Sequence, residues 1–422
     1  MTWLDRARQV IPGCSQTISK SSKQYVFGVS PIFLERGQGC RVWDVDGNEY
    51  IDYVQGLLPN ILGYAEPRVV AAAHQQLLKG HSFSLPTPLE VLLAEKLCQI
   101  IPCAQMVRFG KNGSDATTGA VRLARAYTGR EMVAVCGYHG WHDWYIGSTS
   151  RHLGVPASTR DLVRTFNYND LASLEEVLGA SPGQFAAVIM EPLNFVEPQA
   201  GFLEGVKQVA HDHGAVLIFD EICTGWHLGL GGAQKALGVI PDLACFGKAM
   251  GNGFPISALV GRAEIMKLME DVFFSFTFGG EAASIAASLK VIEIMETEDV
   301  AGHLNRLGSR LKQGFNQLAR KHGLAERIQL RGRPSWHCFK YDDDPNGPQL
   351  VRSLFQQEAN RRGVLVLNSH NMTYAHQDQD IDQTLEVYDQ TLAAVAQALA
   401  SAEPETFVLG QIIQPVFQSR QV

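Results

Sequence analysis

The sequence predicts an α/β protein: a large domain with a mostly parallel central sheet clad in helices, and a second, small α+β domain. Three observations predict it. From about residue 68 to residue 290, helical patterns alternate with short apolar runs, as in successive strand–helix units. Those runs are apolar at consecutive positions, the pattern of strands buried on both faces. After residue 290 the alternation gives way to long helical stretches and a few short strands. A chain of 422 residues exceeds what one core usually supports, which agrees with two domains.

Residues 1–67 begin with a helical pattern, break at Pro12-Gly13 and continue through a polar stretch, 15–23. Residues 41–53 alternate around Asp46-Gly47-Asn48, a hairpin signal. This segment is expected to join the small domain and line the active site. The large domain is expected over 68–295, with a helix at 88–101 and strands at 106–109, 132–135, 185–190, 215–219 and 242–248. The small domain is expected over 296–402. It contains two long helical stretches, the run 336–341, a helix at 348–362, the run 363–367 and an amphipathic helix from about 380 to 400. Residues 403–422 read as a loosely ordered or partner-clasping tail.

Hydrophobic content of 45% and charged content of 19% describe an ordinary globular chain. A net charge of −7 argues against nucleic acid or an anionic membrane as the main partner. No run of about eighteen apolar residues occurs and the N-terminus has no apolar signal core, so no membrane and a cytoplasmic location are expected. The eight cysteines contain no C-x-x-C pair and read as reduced thiols. Cys223 stands apart because it lies two residues past an acidic pair.

That pair is Asp220-Glu221, and it follows the run 215–219 where a buried strand leaves the sheet. Lys248 ends the run 242–248 and leads into the turn Gly251-Asn252-Gly253. Ligands of open α/β sheets bind at the carboxyl ends of strands. An acid and an amine at that edge are what pyridoxal phosphate chemistry needs. The lysine forms the Schiff base, and the aspartate keeps the pyridine nitrogen protonated so that the ring acts as an electron sink. Gly113 and Ser114 open a helix after the strand at 106–109, and a helix N-terminus suits a phosphate. The same residues also read as a plain cap, with Asn112 or Ser114 in that role.

Tyr138, after the strand ending at Cys136, offers a ring to stack on a planar cofactor. His139 and His142 stand three apart, but only Asp143 is at ligand spacing and no metal is expected. His211-Asp212-His213 reads as a solvated helical face, and His370 with His376 is too sparse to assign. Leu228-Gly229-Leu230-Gly231-Gly232 is rejected as a dinucleotide loop, since no strand is predicted before it.

Asp220-Glu221-Ile222-Cys223-Thr224-Gly225, Pro241-Asp242-Leu243 and Gly247-Lys248 resemble the signature of class III aminotransferases, which are fold-type I pyridoxal phosphate enzymes. Trp43-Asp44-Val45-Asp46-Gly47, residues 122–130, Tyr138-His139-Gly140 and Gly231-Gly232-Ala233-Gln234 support it. The resemblance runs from about residue 5 to 400, and within the class the chain looks closest to glutamate-1-semialdehyde aminomutase and its relatives. It implies that Lys248 is the Schiff-base lysine and Asp220 the pyridinium partner. Ile222 and Tyr138 would cover the two ring faces, with His139 also at the cofactor and Gly113 and Ser114 at its phosphate. Thr277 would reach the phosphate of the neighbouring subunit's cofactor, which implies an obligate homodimer with sites at the interface. Lys20, Glu191 and Asn194 are candidate substrate contacts.

The departures bear on substrate. The aminomutase relatives hold the substrate carboxylate with an arginine in the N-terminal polar stretch. Here residues 18–23 contain lysine and no arginine, and lysine lacks the bidentate fork. The family's tryptophan is missing from 53–58, and Thr224-Gly225-Trp226-His227 replaces Thr-Gly-Phe-Arg. The expected function is therefore an aminotransferase with an amino acid donor such as glutamate and a keto or aldehyde acceptor, such as a sugar intermediate of polysaccharide or secondary metabolism. The alternative is an intramolecular aminomutase.

Overall fold

The apolar runs of the middle of the chain become the strands of one seven-stranded sheet. A computed structural model describes residues 2–341 and 348–413. The sheet has the spatial order Met106–Gly110, Ser257–Gly261, Leu243–Phe246, Val216–Asp220, Phe185–Met190, Met132–Cys136, Val163–Thr165. Only Ser257–Gly261 runs antiparallel to its neighbours; the other pairings in the sheet are parallel. Six strands therefore finish on one edge. Every residue of Phe185–Met190, Val216–Asp220 and Leu243–Phe246 is buried, which is why these runs are apolar without alternation.

The helix Gly113–Thr128 lies on this sheet through Ala116, Ala120, Val121, Leu123 and Ala124, which share a core with Val135, Ile189, Ile218 and Leu259. Burying each Val, Leu or Ile side chain of that core contributes about 1.5–3 kcal/mol. The helix starts where it does because the Asp115 carboxylate accepts from the backbone N–H groups of Lys111 (3.0 Å) and Asn112 (2.7 Å). Asn112, not Ser114, is the N-cap. Gly129 in the left-handed region (φ 67°) ends it.

The chain divides into two compact units, one of them Pro67–Ala301 within the described residues and the other built from both ends of the chain. In the second unit the expected hairpin forms: Arg41–Asp44 pairs antiparallel with Glu49–Asp52, and the short strand Val364–Leu365 joins Glu49–Asp52 in parallel. A separate antiparallel sheet contains Ile328–Arg333, Trp336–Tyr341 and Ser369–Asn371. The tail up to Ile413 is tied into this unit, with Gln411 bridged to Phe27 and Ile413 N donating to Ser353 Oγ at 3.0 Å. Residues 414–422 of the expected tail lie outside the described residues.

Residues 55–58, where the family tryptophan is missing, adopt four successive left-handed conformations (φ 46°, 64°, 78° and 82°). Buried Asp52 fixes the start of this run by accepting from Val54 N (2.6 Å), Gln55 N (3.2 Å) and the Tyr64 hydroxyl (2.6 Å). Burial raises its carboxyl to about 6. No helix among the described residues is long and apolar enough to cross a membrane.

Candidate active site

Four adjacent strands bring different chemistry to one edge of the seven-stranded sheet. In spatial order these are Lys248 just past Leu243–Phe246, Asp220 ending Val216–Asp220, Glu191 directly after Phe185–Met190, and Gly137-Tyr138-His139 following Met132–Cys136. Lys248 has a left-handed backbone (φ 44°), a strained setting for a residue with a Cβ and one that clusters at functional sites. The sequence suggests a strand through residue 248; the strand stops at Phe246 and the lysine instead opens a tight turn, Lys248–Gly251.

Asp220 is buried and its carboxylate is held twice, by His139 Nδ1 at 2.8 Å to Oδ2 and by Ile222 N at 3.1 Å to Oδ1. His139 is buried as well, and its Nε2 has no protein partner. Thr117 Oγ1 donates to the His139 carbonyl at 2.8 Å, so the first helical turn after Ser114 fixes the histidine's backbone. His142 turns away to Thr118 Oγ1 at 2.7 Å. Among the described residues no group of three or more His, Cys, Asp or Glu is placed to hold a metal ion.

The Lys248 amine lies 2.6 Å from Cys223 Sγ. Burial works against the ammonium; Cys223, Glu191 and Asp220 work for it, and the net shift is upward. Burial also holds the Cys223 thiol up at about 11, so the sulfur is uncharged at neutral pH. Burial likewise raises the Tyr138 phenol. The Tyr138 ring is about half exposed and stands edge-on to Tyr145, with centroids 5.5 Å apart.

The turn at Gly113-Ser114 is shaped by close approaches. A methyl on Gly113 would sit 2.5 Å from Ile222 Cδ1, so the glycine lets Ile222 lie against the helix start. Gly140 (φ 106°) passes over Ser114, whose Oγ accepts from Trp141 N at 3.3 Å. Thr277 is exposed in a turn between exposed Phe273 and Phe278. Lys20 is exposed on the turn Ile18–Lys20 of the other unit, and Asn194 Oδ1 accepts from Val196 N at 2.8 Å.

Several contacts here escape sequence reasoning. Lys111 Nζ lies 3.1 Å from Glu281, which caps the helix Ala282–Thr297, and this ties the turn before Gly113 to the segment after Thr277. The only hint in the sequence is an acidic residue just ahead of a helix. Buried Glu221 accepts from Ala233 N (2.6 Å), Gln234 N (2.9 Å) and Thr224 Oγ1 (2.7 Å). The glycine-rich loop rejected as a dinucleotide site thus spends its helix N-terminus on the chain's own carboxylate. His211 is exposed, as expected of a solvated helical face, and its Nε2 lies 2.9 Å from Asp242, which also accepts from Leu217 N and Arg262. Asp242 is fixed just before its strand, so it draws the helix carrying His211 onto the sheet.

Residues 24–393 match the family described as aminotransferase class-III. The chain belongs to the class III aminotransferases. It is 37% identical over 410 residues to a 3-aminobutyryl-CoA aminotransferase of Cloacimonas acidaminovorans, covering 94% of this chain and 98% of the relative. It is 40% identical over 428 residues to a glutamate-1-semialdehyde 2,1-aminomutase of Roseiflexus castenholzii, covering 94% and 96%. Among solved structures it resembles the FumI protein of Sphingopyxis sp. MTA144 in its pyridoxal phosphate form, with a TM-score of 0.88 and 31% identity over 96% of this chain and 99% of that one. This class III aminotransferase therefore has the fold-type I architecture, takes pyridoxal phosphate as its cofactor and is a transaminase or aminomutase.

Proposed function

We propose that the protein is an aminotransferase that moves an amino group from an amino acid donor, glutamate first among the candidates, to a ketone or aldehyde. The observation that carries this reading is Lys248 and Asp220 at the ends of adjacent strands, beside a helix N-terminus free to take a phosphate. Pyridoxal phosphate, when bound, supplies an electron sink for charge developing at the amine-bearing carbon. The chain's own residues fit it. Asp220, held in place by His139 and Ile222 N, would pair with the ring nitrogen. Gly113, Ser114 and the first N–H groups of Gly113–Thr128 receive the phosphate. Ile222 and Tyr138 cover the ring, and Thr277 serves the site of a second copy. Lys248 would hold the cofactor, and its amine would carry the proton to and from the substrate.

The acceptor need not carry a carboxylate at the aminomutase position. Residues 18–23 have no arginine to grip one, and a relative at 37% identity is named for a coenzyme A thioester in which that carboxyl is masked. A sugar intermediate of polysaccharide or secondary metabolism satisfies the same condition. The second reading, an intramolecular aminomutase, is favoured by the relative at 40% identity.

Adding L-glutamate alone to the purified holoenzyme separates the two. Bleaching of the visible cofactor band with release of 2-oxoglutarate is the expected result. If neither glutamate nor other common amino acids change the band, the aminomutase reading takes its place. Lys248→Ala should remove the lysine-dependent visible band, and its survival in that variant would overturn the assignment of Lys248.

A further inference from the structure

We propose that Glu191 is a positioning residue of the cofactor site, a second carboxyl seated beside Asp220 at the sheet edge that carries Lys248. When Glu191 ionises, it adds a second negative charge to the edge that carries Lys248. This rests on the reading of Lys248 and Asp220 given above.

Glu191 follows Phe185–Met190, between the strands that end in Cys136 and Asp220, and its own N–H donates to the Cys136 carbonyl at 3.2 Å. The room for its side chain comes from Gly137: a methyl there would lie 2.5 Å from Glu191 Oε2, and the glycine's φ of 109° is itself closed to most residues. The carboxyl receives one donor, Tyr138 N at 3.2 Å, whereas Asp220 receives two, His139 Nδ1 and Ile222 N. Two neighbouring carboxylates that share little solvent cannot both ionise cheaply. Glu191, with fewer hydrogen-bond partners at its carboxyl, is the one more ready to take up a proton.

The groups facing Glu191 agree. From the strand end beside it come Cys136, Tyr138 and His139, and from the short helix Asp143–Ile146 comes Tyr145. From the other side come Asp220, Cys223 and Lys248. Burial holds the thiols of Cys136 and Cys223 up at about 12 and about 11 and raises both phenols, so these four groups are uncharged at neutral pH. His139 is engaged with Asp220 and the Lys248 amine with Cys223. Burial first, and Asp220 second, bring the Glu191 carboxyl to about 7. The charge beside Lys248 thus changes across neutrality.

More negative charge there favours protonated nitrogen at the cofactor. Glu191→Gln puts a permanently neutral amide of nearly the same shape in place of the carboxyl. The experiment is a pH titration of the visible absorbance of the holoenzyme without substrate, for the wild type, Glu191→Gln and Glu191→Asp. The glutamine variant should move the midpoint to lower pH by about one unit, a tenfold change in the proton equilibrium. It should also lose the component near 7, and the aspartate variant should retain a step. An unchanged titration in Glu191→Gln, with the visible band at full strength, overturns the proposal. A wild-type band that survives Lys248→Ala instead overturns the reading beneath it. If Glu191→Gln does not retain cofactor, infrared pH-difference spectra of the wild type and Glu191→Asp decide. A protonated-carboxyl signal that titrates near neutrality and shifts in the aspartate variant supports the proposal, and no such signal overturns it.

Discussion

His139 Nδ1 and Asp220 Oδ2 stand 2.8 Å apart with both side chains almost wholly out of solvent. The contact joins residues 81 positions apart, one from each of two strand ends. It means that the carboxylate assigned to the cofactor's ring nitrogen is held by an imidazole. His139 is then one of the two hydrogen-bond partners that hold the Asp220 carboxyl in place.

His139→Phe removes that donor and keeps a ring in the buried space. A hydrogen bond to a charged group is worth about 1.5–3 kcal/mol, so cofactor should be released about 10–100-fold more readily. Dialysis of the holoenzyme, followed by the visible spectrum, measures this. Cofactor retention equal to the wild type would mean that Asp220 does not rely on the histidine.

Gly113→Ala tests the packing between the helix start and Ile222. The added methyl at 2.5 Å must push Ile222 aside, and overpacking of this kind costs about 1–3 kcal/mol. Because the displaced side chain is the one proposed to cover the ring, cofactor affinity should fall by at least as much as stability. Equilibrium dialysis and thermal melts of the apoprotein separate the two effects. A lower melting temperature with unchanged cofactor affinity would place Ile222 away from the ring.

The proposed catalytic pair, Asp220 and Lys248, was legible because each stands where a buried apolar run ends, and a chain leaving a buried strand has few positions for a charged side chain. The layers of the fold were legible for the same reason: full burial of Phe185–Met190 and Val216–Asp220 leaves no polar position to mask them. The partners of the site were not. His139 with Asp220 and Lys111 with Glu281 are separated by 81 and 170 residues, and nothing local marks them. His211 is solvated as its polar helix neighbours suggest, but its partner Asp242, 31 residues on, is not marked by anything local. His370 and His376 looked unrelated to anything, yet both are buried and both rings lie within 5 Å of the Tyr53 ring. Spacing along the chain reports which element a residue belongs to; it does not report what the fold brings against it.

Thr277 gives a prediction about assembly. It is exposed between Phe273 and Phe278, which are 78% and 56% exposed, a placement that suits a segment covered by a second copy. Sedimentation should show a dimer, and Thr277→Ala should weaken cofactor retention about tenfold through the loss of one hydrogen bond to a charged phosphate. A monomer that retains cofactor normally would exclude the role of Thr277 across an interface.

The buried histidines of the unit formed by the two chain ends make it sensitive to acid. His337 is buried with both ring nitrogens unpartnered, and burial lowers it to about 3. Burial lowers His376 to about 4 and holds His370 well below its usual range. An unfolded chain binds protons at these rings below pH 6.5, whereas the folded protein does not until pH 3–4, so stability falls as pH drops through that window. Asp52, raised by burial to about 6, acts with the opposite sign, as one group against three. Comparing His337→Phe with the wild type isolates a single ring from these other groups. The stability difference should shift in favour of the variant by about 1.4 kcal/mol per pH unit between pH 6 and 4. Urea unfolding at several pH values measures it. A difference that does not change with pH would mean that His337 is protonated, or freely hydrated, in the folded state.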